Sequence, residues 1–300
     1  NFKSEMRLST IPTEYGEKMV VRIFNREMVN HRLENIGFLK KDKNRWEKLI
    51  NSRQGLILVT GPTGSGRTTT LYASMNTIST PEINVCTAED PIEVLVDSFN
   101  QVQVNHHIGL NFAKTVRSFF RQDPDIIMIG EIRDLETAEV ATQASLTGHL
   151  VFSTLHTNGA LESIQRLVDI GLPTFLIKSS LNAILTQKLV RKLCPHCKKK
   201  VSTSPEQWHS FIGNDKLPYP KYSYKAQGCS SCNDTGFNGR TCLYELVEFN
   251  DKLKRIIHPE VELSELKEKS KGMFTTIREN ALQKVISGET SLDEVMRLIY

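Results

Sequence analysis

The chain has 300 residues, which is enough for one large domain or two of ordinary size. Hydrophobic residues make up 39% and charged residues 24%, a composition that excludes a largely disordered chain. The 38 basic and 34 acidic side chains leave a net charge of +4, which gives no electrostatic reason to expect a nucleic-acid partner. No secretory signal is recognised, and no apolar run approaches the roughly 18 residues that span a bilayer, so we expect membrane contact only through partners.

The first part of the chain is predicted to contain a short hairpin. Residues 5–26 favour two strands around a turn at 13–16. Because the chain begins inside this strand-like sequence, we expect the N-terminal domain to be truncated. Residues 27–54 are polar and basic, with apolar residues at helical spacing near their end, and predict a linker followed by a helix.

From Gly55 onward the pattern is typical of an α/β fold. Short apolar runs alternate with longer, helix-compatible stretches, and such runs suit buried parallel strands. The runs lie at residues 56–59, 83–86, 126–129 and 150–152.

The last third of the chain is less regular. Apolar residues at helical spacing predict a helix over residues 175–185, and residues 198–228 are expected to be irregular. Helices are predicted over residues 260–300, interrupted at 287–291 by a stop signal and a new N-cap.

A glycine-rich turn between a predicted strand and a predicted helix has the spacing of a phosphate loop. Its glycines allow backbone N–H groups to surround nucleotide phosphates, and the helix N-terminus favours negative charge. Thr68 would place its hydroxyl on Mg²⁺. The residues expected to bind the nucleotide are Gly61, Pro62, Thr63, Gly64, Ser65, Gly66, Arg67, Thr68 and Thr69.

Arg67 stands where this loop usually has lysine. Arginine keeps the positive charge but is a larger, planar fork. We therefore predict that the nucleotide still binds, with the γ-phosphate held in the wrong place and hydrolysis weakened.

Two acidic segments follow apolar runs and should meet at the carboxyl edge of a parallel sheet. Glu131 is the predicted general base, and Glu89 and Glu93 are predicted to help position Mg²⁺ and water. His156 would emerge near the γ-phosphate and report the nucleotide state, whereas His149 stays open between a functional and a structural role.

Four of the six cysteines form two Cys-x-x-Cys pairs, and their spacing is typical of a structural zinc site. Without a secretory signal we expect a reducing compartment, where paired cysteines bind metal more often than they form disulfides. His196 is a possible but unneeded ligand, and Cys86 and Cys242 are interpreted as buried thiols. The predicted zinc ligands are Cys194, Cys197, Cys229 and Cys232.

In the order of these motifs the chain resembles the ATPases of type II secretion and type IV pilus assembly. The resemblance runs from about Arg7 to Tyr300 and rests on five segments. They are the phosphate loop at 61–68, an aspartate box at 89–93, an atypical Walker B segment at 130–134, a histidine box at 148–158, and the cysteine motif followed by 235–240. The cysteine motif points to secretion or pilus-extension members.

The resemblance implies a fold and an activity. It implies an α/β RecA-like core with a mainly parallel sheet over residues 35–300, including a zinc subdomain at 190–245 and a helical region at 250–300. Residues 1–34 would be the end of a truncated second N-terminal α+β domain and a linker, in which Arg7 and Arg22 reach nucleotide phosphates across an interface. It further implies ATP as substrate and a cytoplasmic homo-hexamer that assembles pilins or pseudopilins. The implied partners are an inner-membrane platform protein, on which the hexamer docks, and associated cytoplasmic assembly proteins.

Two rival hypotheses remain. The chain could be a scaffold subunit that binds nucleotide but in which Arg67 prevents hydrolysis, and binding without turnover would identify it. A RecA-like nucleic-acid motor would need a basic stripe with interleaved aromatic residues, whereas the charges here are dispersed.

Overall fold

A two-stranded hairpin begins the computed structural model, which describes residues 5–24, 32–212 and 218–299. Strands β1 (Glu5–Thr13) and β2 (Gly16–Phe24) pair in antiparallel register, so the predicted hairpin is confirmed. Its apolar side chains are exposed where they are described, including Leu8, which is 60% exposed.

Nine further strands lie in the described part of the chain. Seven of them form one sheet in the order β11-β8-β3-β7-β6-β4-β5, and β9 and β10 form a separate antiparallel pair. All neighbours in the large sheet are parallel except β8 and β11, so the predicted fold class is confirmed. The strands are β3 Gly55–Thr60, β4 Val85–Glu89, β5 Phe99–Gln103, β6 Ile126–Ile129, β7 Leu150–Leu155, β8 Leu181–Leu193, β9 Lys199–Ser202, β10 Tyr222–Lys225 and β11 Phe237–Glu248.

Helices cover both faces of this sheet. They are α1 Leu33–Ile36, α2 Lys40–Ile50, α3 Arg67–Ile78, α4 Phe112–Phe119, α5 Leu135–Leu146, α6 Ala160–Asp169, α7 Thr174–Ser180, α8 Pro205–Ile212, α9 Asp251–Ile256, α10 Leu263–Lys269, α11 Ile277–Ile286 and α12 Leu292–Ile299. Among the described residues, none of them combines the length and apolar character that a membrane span requires.

The position of strand β3 inside the sheet explains why its apolar residues do not alternate with polar ones. Successive side chains of a strand point to opposite faces. Leu56 and Leu58 join the core beneath α4 to α7, whereas Ile57 and Val59 join the core beneath α1 to α3. Because both faces are covered, every position in the run must be apolar.

A third core lies where β8 and β11 extend beyond the parallel strands. Helices α8, α11 and α12 pack there around the buried Trp208 and Phe211. Arg191 on β8 binds both carboxylate oxygens of Glu294 on α12, with Nε–Oε1 and Nη2–Oε2 distances of 2.9 and 2.7 Å. This hydrogen bonding lowers the pKa of the Glu294 carboxyl, although burial opposes the shift.

Three local predictions need correction. The helix predicted over 175–185 ends at Ser180, and β8 follows without a loop, because its central residues are buried on both faces and imitate helical spacing. The segment 198–228 contains β9, α8 and β10 rather than only irregular structure. The run predicted at 83–86 is shifted, since β4 spans Val85–Glu89.

The stop and N-cap before α12 are confirmed, because the Ser291 Oγ accepts from the Glu294 N–H at 3.2 Å.

Candidate functional site

The turn between β3 and α3 has a backbone that only glycine allows. Gly64 and Gly66 have φ angles of 78° and 87°, in the left-handed region. A side chain at Gly61 would collide with the backbone oxygen of Gln187. The Ser65 N–H donates to the Pro62 carbonyl at 3.1 Å and closes the turn. The loop therefore curves in front of the N-terminus of α3, where phosphate binding is favoured.

Gln187 supports this loop from β8, and the sequence reasoning missed it. Its side chain is 1% exposed. Its Nε2 donates to the Ser65 carbonyl at 2.7 Å, and its Oε1 accepts from the Thr70 hydroxyl at 2.9 Å. The available signal is a polar residue just after the helix predicted over 175–185, in a stretch where the sequence pattern predicts no strand.

Arg67 turns its guanidinium back over the loop. Its Nη1 donates to the Gly61 carbonyl and also to His156 Nδ1, at 3.2 Å in the latter case. Burial lowers the pKa of Arg67, and the nearby charges of Glu131 and Glu93 oppose the shift. The first side chain of α3 thus contacts the histidine box directly.

Glu131 lies next to this pair, directly after β6. Its Oε2 is 3.4 Å from His156 Nε2, and its Oε1 accepts from Arg133 Nη2 at 2.6 Å. Burial and then the charge of Arg67 lower the pKa of His156, so the ring is neutral and carries its proton on Nε2, facing Glu131. A hydrogen bond of 2.7 Å from the Thr154 hydroxyl to the Gly130 carbonyl fixes the strand end that carries Glu131.

The second acidic segment divides into a buried and a more accessible carboxylate. Glu89 is 4% exposed, and both its oxygens are occupied. They accept from the Tyr72 and Thr87 hydroxyls at 2.6 Å each and from Gln101 Nε2 at 3.0 Å. Burial and the Glu89 charge raise the pKa of Tyr72, so its hydroxyl stays a donor. Glu93 lines the same cleft and is only partly buried.

These groups surround a cleft of about 130 Å³ at the carboxyl edge of the sheet. The structure brings together at this cleft Arg67, Thr68, Glu89, Asp90, Glu93, Glu131 and His156. The arrangement combines anion-binding backbone, a threonine hydroxyl and several carboxylates. It can therefore hold phosphate groups with a divalent cation and activate a water molecule.

Three other predicted residues lie apart from the cleft or cannot be described. Arg7 and Arg22 are paired in the register of the hairpin, but their side chains lie outside the described residues. His149 sits at the amino end of β7, the opposite edge of the sheet, where its Nδ1 donates to the Ala144 carbonyl at 2.9 Å. That geometry is structural.

The four predicted metal ligands form one cluster. Their sulfur atoms all lie within 4.8 Å of one another, with Cys194–Cys229 and Cys197–Cys232 distances of 3.9 Å. Sulfur atoms of a tetrahedral zinc site with Zn–S bonds of about 2.3 Å lie about 3.8 Å apart. The cluster therefore fits zinc in both chemistry and size.

Within this cluster backbone N–H groups favour a thiolate at Cys232, whereas burial raises the pKa of Cys197 to about 11. The N–H groups of Cys229 and Gly236 point to Cys232 Sγ at 3.3 and 3.2 Å. Burial opposes ionisation, but these hydrogen bonds lower the pKa of Cys232 to about 7. By contrast, burial raises the pKa of Cys242 to about 12, as befits a buried thiol.

Comparison with known proteins identifies the chain's family. A family model described as type II/IV secretion system protein matches residues 2–297. The chain belongs to this family. The type IV pilus assembly ATPase TfpB of Acinetobacter baylyi is 47% identical over 99% of this chain and 51% of its own length. The type II secretion system ATPase E of Vibrio cholerae is 45% identical over 98% of this chain and 58% of its own length. The chain thus spans about half the length of these relatives.

Two solved structures of similar architecture support the fold. The pilus retraction motor PilT with bound ADP is 28% identical, with a TM-score of 0.60 over 98% of this chain and 69% of its own. The Legionella pneumophila ATPase DotB has a TM-score of 0.70 at 23% identity, over 99% of this chain and 77% of its own, which supports the fold only. The resemblance inferred from the sequence is therefore confirmed.

Proposed function

We propose that this chain is the motor part of an ATPase that drives pilin or pseudopilin assembly in type IV pilus biogenesis or type II secretion. One observation carries the proposal: the phosphate loop, Glu93, Glu131 and His156 meet in one cleft at the carboxyl edge of the parallel sheet. Relatives that cover nearly all of the chain are named ATPases of these two systems.

Nucleotide binding is assigned to the loop and the start of α3. Backbone N–H groups within residues 63–66 and the helix N-terminus surround the phosphates. Thr68 and the acidic residues of the cleft hold Mg²⁺, which when bound neutralises phosphate charge. Arg67 contributes positive charge at the same place, although its fork differs in shape from a lysine ammonium.

Hydrolysis is assigned to Glu131 as general base. A carboxylate has room for about four hydrogen bonds, so Glu131 can keep Arg133 and His156 as partners and still accept from water. Arg133, bound at 2.6 Å, fixes one oxygen of Glu131 and so orients the other toward the cleft. Neutral His156 links Glu131 to Arg67 and senses whether a γ-phosphate lies between them.

A hydrolysis-impaired scaffold subunit is the second candidate, and the position of Arg67 favours it. Its guanidinium already binds the Gly61 carbonyl and His156 and lies close to the charge of Glu131. An incoming γ-phosphate must displace this side chain or take a position beside it. Either outcome spoils the in-line geometry that phosphoryl transfer needs, while binding survives.

The cysteine cluster is assigned to one structural zinc ion per chain. Cys194 follows β8, and the Cys229–Cys232 pair lies shortly before β11. When bound, the metal ties these two chain segments together in place of a larger apolar core. Among the described residues the third core beside it contains nine buried apolar side chains, so a metal crosslink would add stability to this small core.

The assembly proposal rests on family membership. We place the whole protein in the cytoplasm as a homo-hexamer at the inner membrane, attached through a membrane platform protein. In that assembly Arg7 and Arg22 would reach nucleotide phosphates across a domain interface. Mass measurement with ADP present tests the hexamer.

The function is tested by measuring fluorescent ADP binding and phosphate release from ATP on the same preparation. A motor binds nucleotide and turns it over, and a scaffold binds without turnover. Failure to bind either nucleotide, with the fold intact by circular dichroism, contradicts both candidates. Stimulation of turnover by single-stranded DNA would favour a nucleic-acid motor instead.

A further inference from the structure

We propose that Gln187 is a positioning residue that holds the phosphate loop in its nucleotide-binding curvature and connects it to α2, a role that rests on the proposed function. Gln187 lies on β8, a strand that contributes no side chain to the nucleotide cleft described above. Its amide is buried, and a buried amide is costly unless both its ends are hydrogen-bonded.

The contacts of Gln187 span the loop. Its Nε2 binds the Ser65 carbonyl at 2.7 Å, and its backbone oxygen packs against Gly61 so closely that no side chain fits there. A side chain on Gly66 would lie 3.2 Å from the same Nε2. One residue of β8 therefore touches the start, the end and the inner carbonyl of the loop.

The bond to Ser65 also fixes which groups of the loop face the nucleotide. A peptide unit is planar, so holding the Ser65 carbonyl toward β8 points the N–H of Gly66 to the other side. That other side is the front of the loop, where N–H groups must converge on a phosphate. Without the amide donor the carbonyl is a buried acceptor with no partner and is free to rotate toward the cleft.

A chain of buried polar groups continues from Gln187 toward α2. The Thr70 hydroxyl donates to Gln187 Oε1 at 2.9 Å, and the Ser74 hydroxyl donates to the Thr70 carbonyl at 2.7 Å. Trp46 Nε1 then donates to the Ser74 hydroxyl at 2.9 Å. All four side chains are at most 1% exposed. A shift of the loop on nucleotide binding therefore reaches the indole of Trp46.

The experiment measures fluorescent ADP binding and Trp46 emission in a Trp208→Phe background, where Trp46 is the remaining tryptophan of the two. Gln187→Met keeps the volume and removes both hydrogen bonds. Gln187→Glu keeps an acceptor for Thr70 but loses the donor to Ser65. Ser145→Ala is the matched control, because it removes another buried side-chain hydrogen bond, at 2.7 Å to the Thr142 carbonyl on α5, which packs on the face of the sheet opposite α2 and α3.

Both Gln187 variants should bind ADP about 10-fold or more weakly, as expected for a loop held by one fewer buried hydrogen bond. The Met variant should also lose the emission change on ADP binding, and Ser145→Ala should change neither readout. ADP affinity within about twofold of the native value in the Met variant would overturn the proposal.

The experiment distinguishes a failure of the proposed function from a failure of the positioning role. If the native chain does not bind ADP, the proposed function fails; if it binds and the Gln187 variants bind equally well, only the positioning role fails. Should neither Gln187 variant fold, Thr70→Val decides, because it cuts the chain to Trp46 and spares the bond to Ser65. Its Trp46 response should disappear with ADP affinity nearly unchanged, and a native-like response would contradict the connection.

Discussion

Replacing Arg67 with lysine should speed hydrolysis. The guanidinium donates to His156 Nδ1 at 3.2 Å and to the Gly61 carbonyl. Each such contact is worth about 1 kcal/mol, so about 2 kcal/mol holds the guanidinium across the cleft, which corresponds to about a 30-fold change in rate. A lysine ammonium keeps the charge but lacks the planar fork that binds His156 and the Gly61 carbonyl at once.

We therefore expect Arg67→Lys to raise kcat by about 10- to 100-fold and to change KM by less than about threefold. The effect appears mainly in kcat because charge neutralisation is retained and only the placement of the γ-phosphate improves. Steady-state phosphate release over a range of ATP concentrations separates the two parameters. Arg121→Lys, an exposed arginine beyond α4, is the matched control and should leave both unchanged.

Refutation would come from a lysine variant with kcat equal to or below that of the native chain. That result would mean that the loop is adapted to arginine and that the contact with His156 assists catalysis. If the native chain then turns over briskly, the scaffold hypothesis is wrong as well.

Three further predictions concern the base, the metal and a buried ion pair. Glu131→Gln should lower turnover by roughly 10²–10⁴ and leave ADP affinity near native in a fluorescence titration; an unchanged rate would move water activation to another carboxylate. Freshly purified protein should contain one zinc per chain by elemental analysis, and Cys197→Ser should lower both zinc content and Tm while sparing ADP binding; a metal-free, equally stable protein would contradict this. Because Arg191 lowers the pKa of Glu294 below its usual 4.5, the pair stabilises the fold above that pH and the stabilisation is lost as pH falls through the lowered pKa. Glu294→Gln should therefore lower the free energy of unfolding, measured by urea titration, by about 1 kcal/mol near pH 7 and by less near pH 3. The figure of about 1 kcal/mol allows for solvent screening, because Arg191 is half-exposed. An equal loss at both pH values would exclude the charge interaction.

The candidate cleft could be located from the sequence because of one property of parallel sheets. Residues that follow different strands emerge at the same edge, so Glu131 and the Glu89 segment could be brought together without knowing the strand order. The glycine spacing placed the phosphate loop at that edge too. Local sequence patterns therefore sufficed for the groups that surround the cleft.

The supporting residues could not be found in this way. Gln187 lies 122 residues after Ser65, and only the sheet order reveals that β8 is the neighbour of β3. In a strand that is buried on both faces, apolar residues can also fall at helical spacing. For this reason the sequence pattern did not reveal β8 itself. The direction of the Arg67 side chain depends on the Gly61 carbonyl and His156, which no local pattern encodes.

The position of β3 in the sheet also affects how the protein is made. The partners of β3, which ends at Thr60, are β7 and β8, and the latter begins only at Leu181, about 120 residues later. At ribosomal rates of about 5–20 residues per second, β3 waits roughly 6–24 s for its second partner. During that interval an apolar strand is exposed on the nascent chain, and the phosphate loop lacks the strand that supports it. Nucleotide therefore has no formed site on the ribosome until most of the sheet has been synthesised.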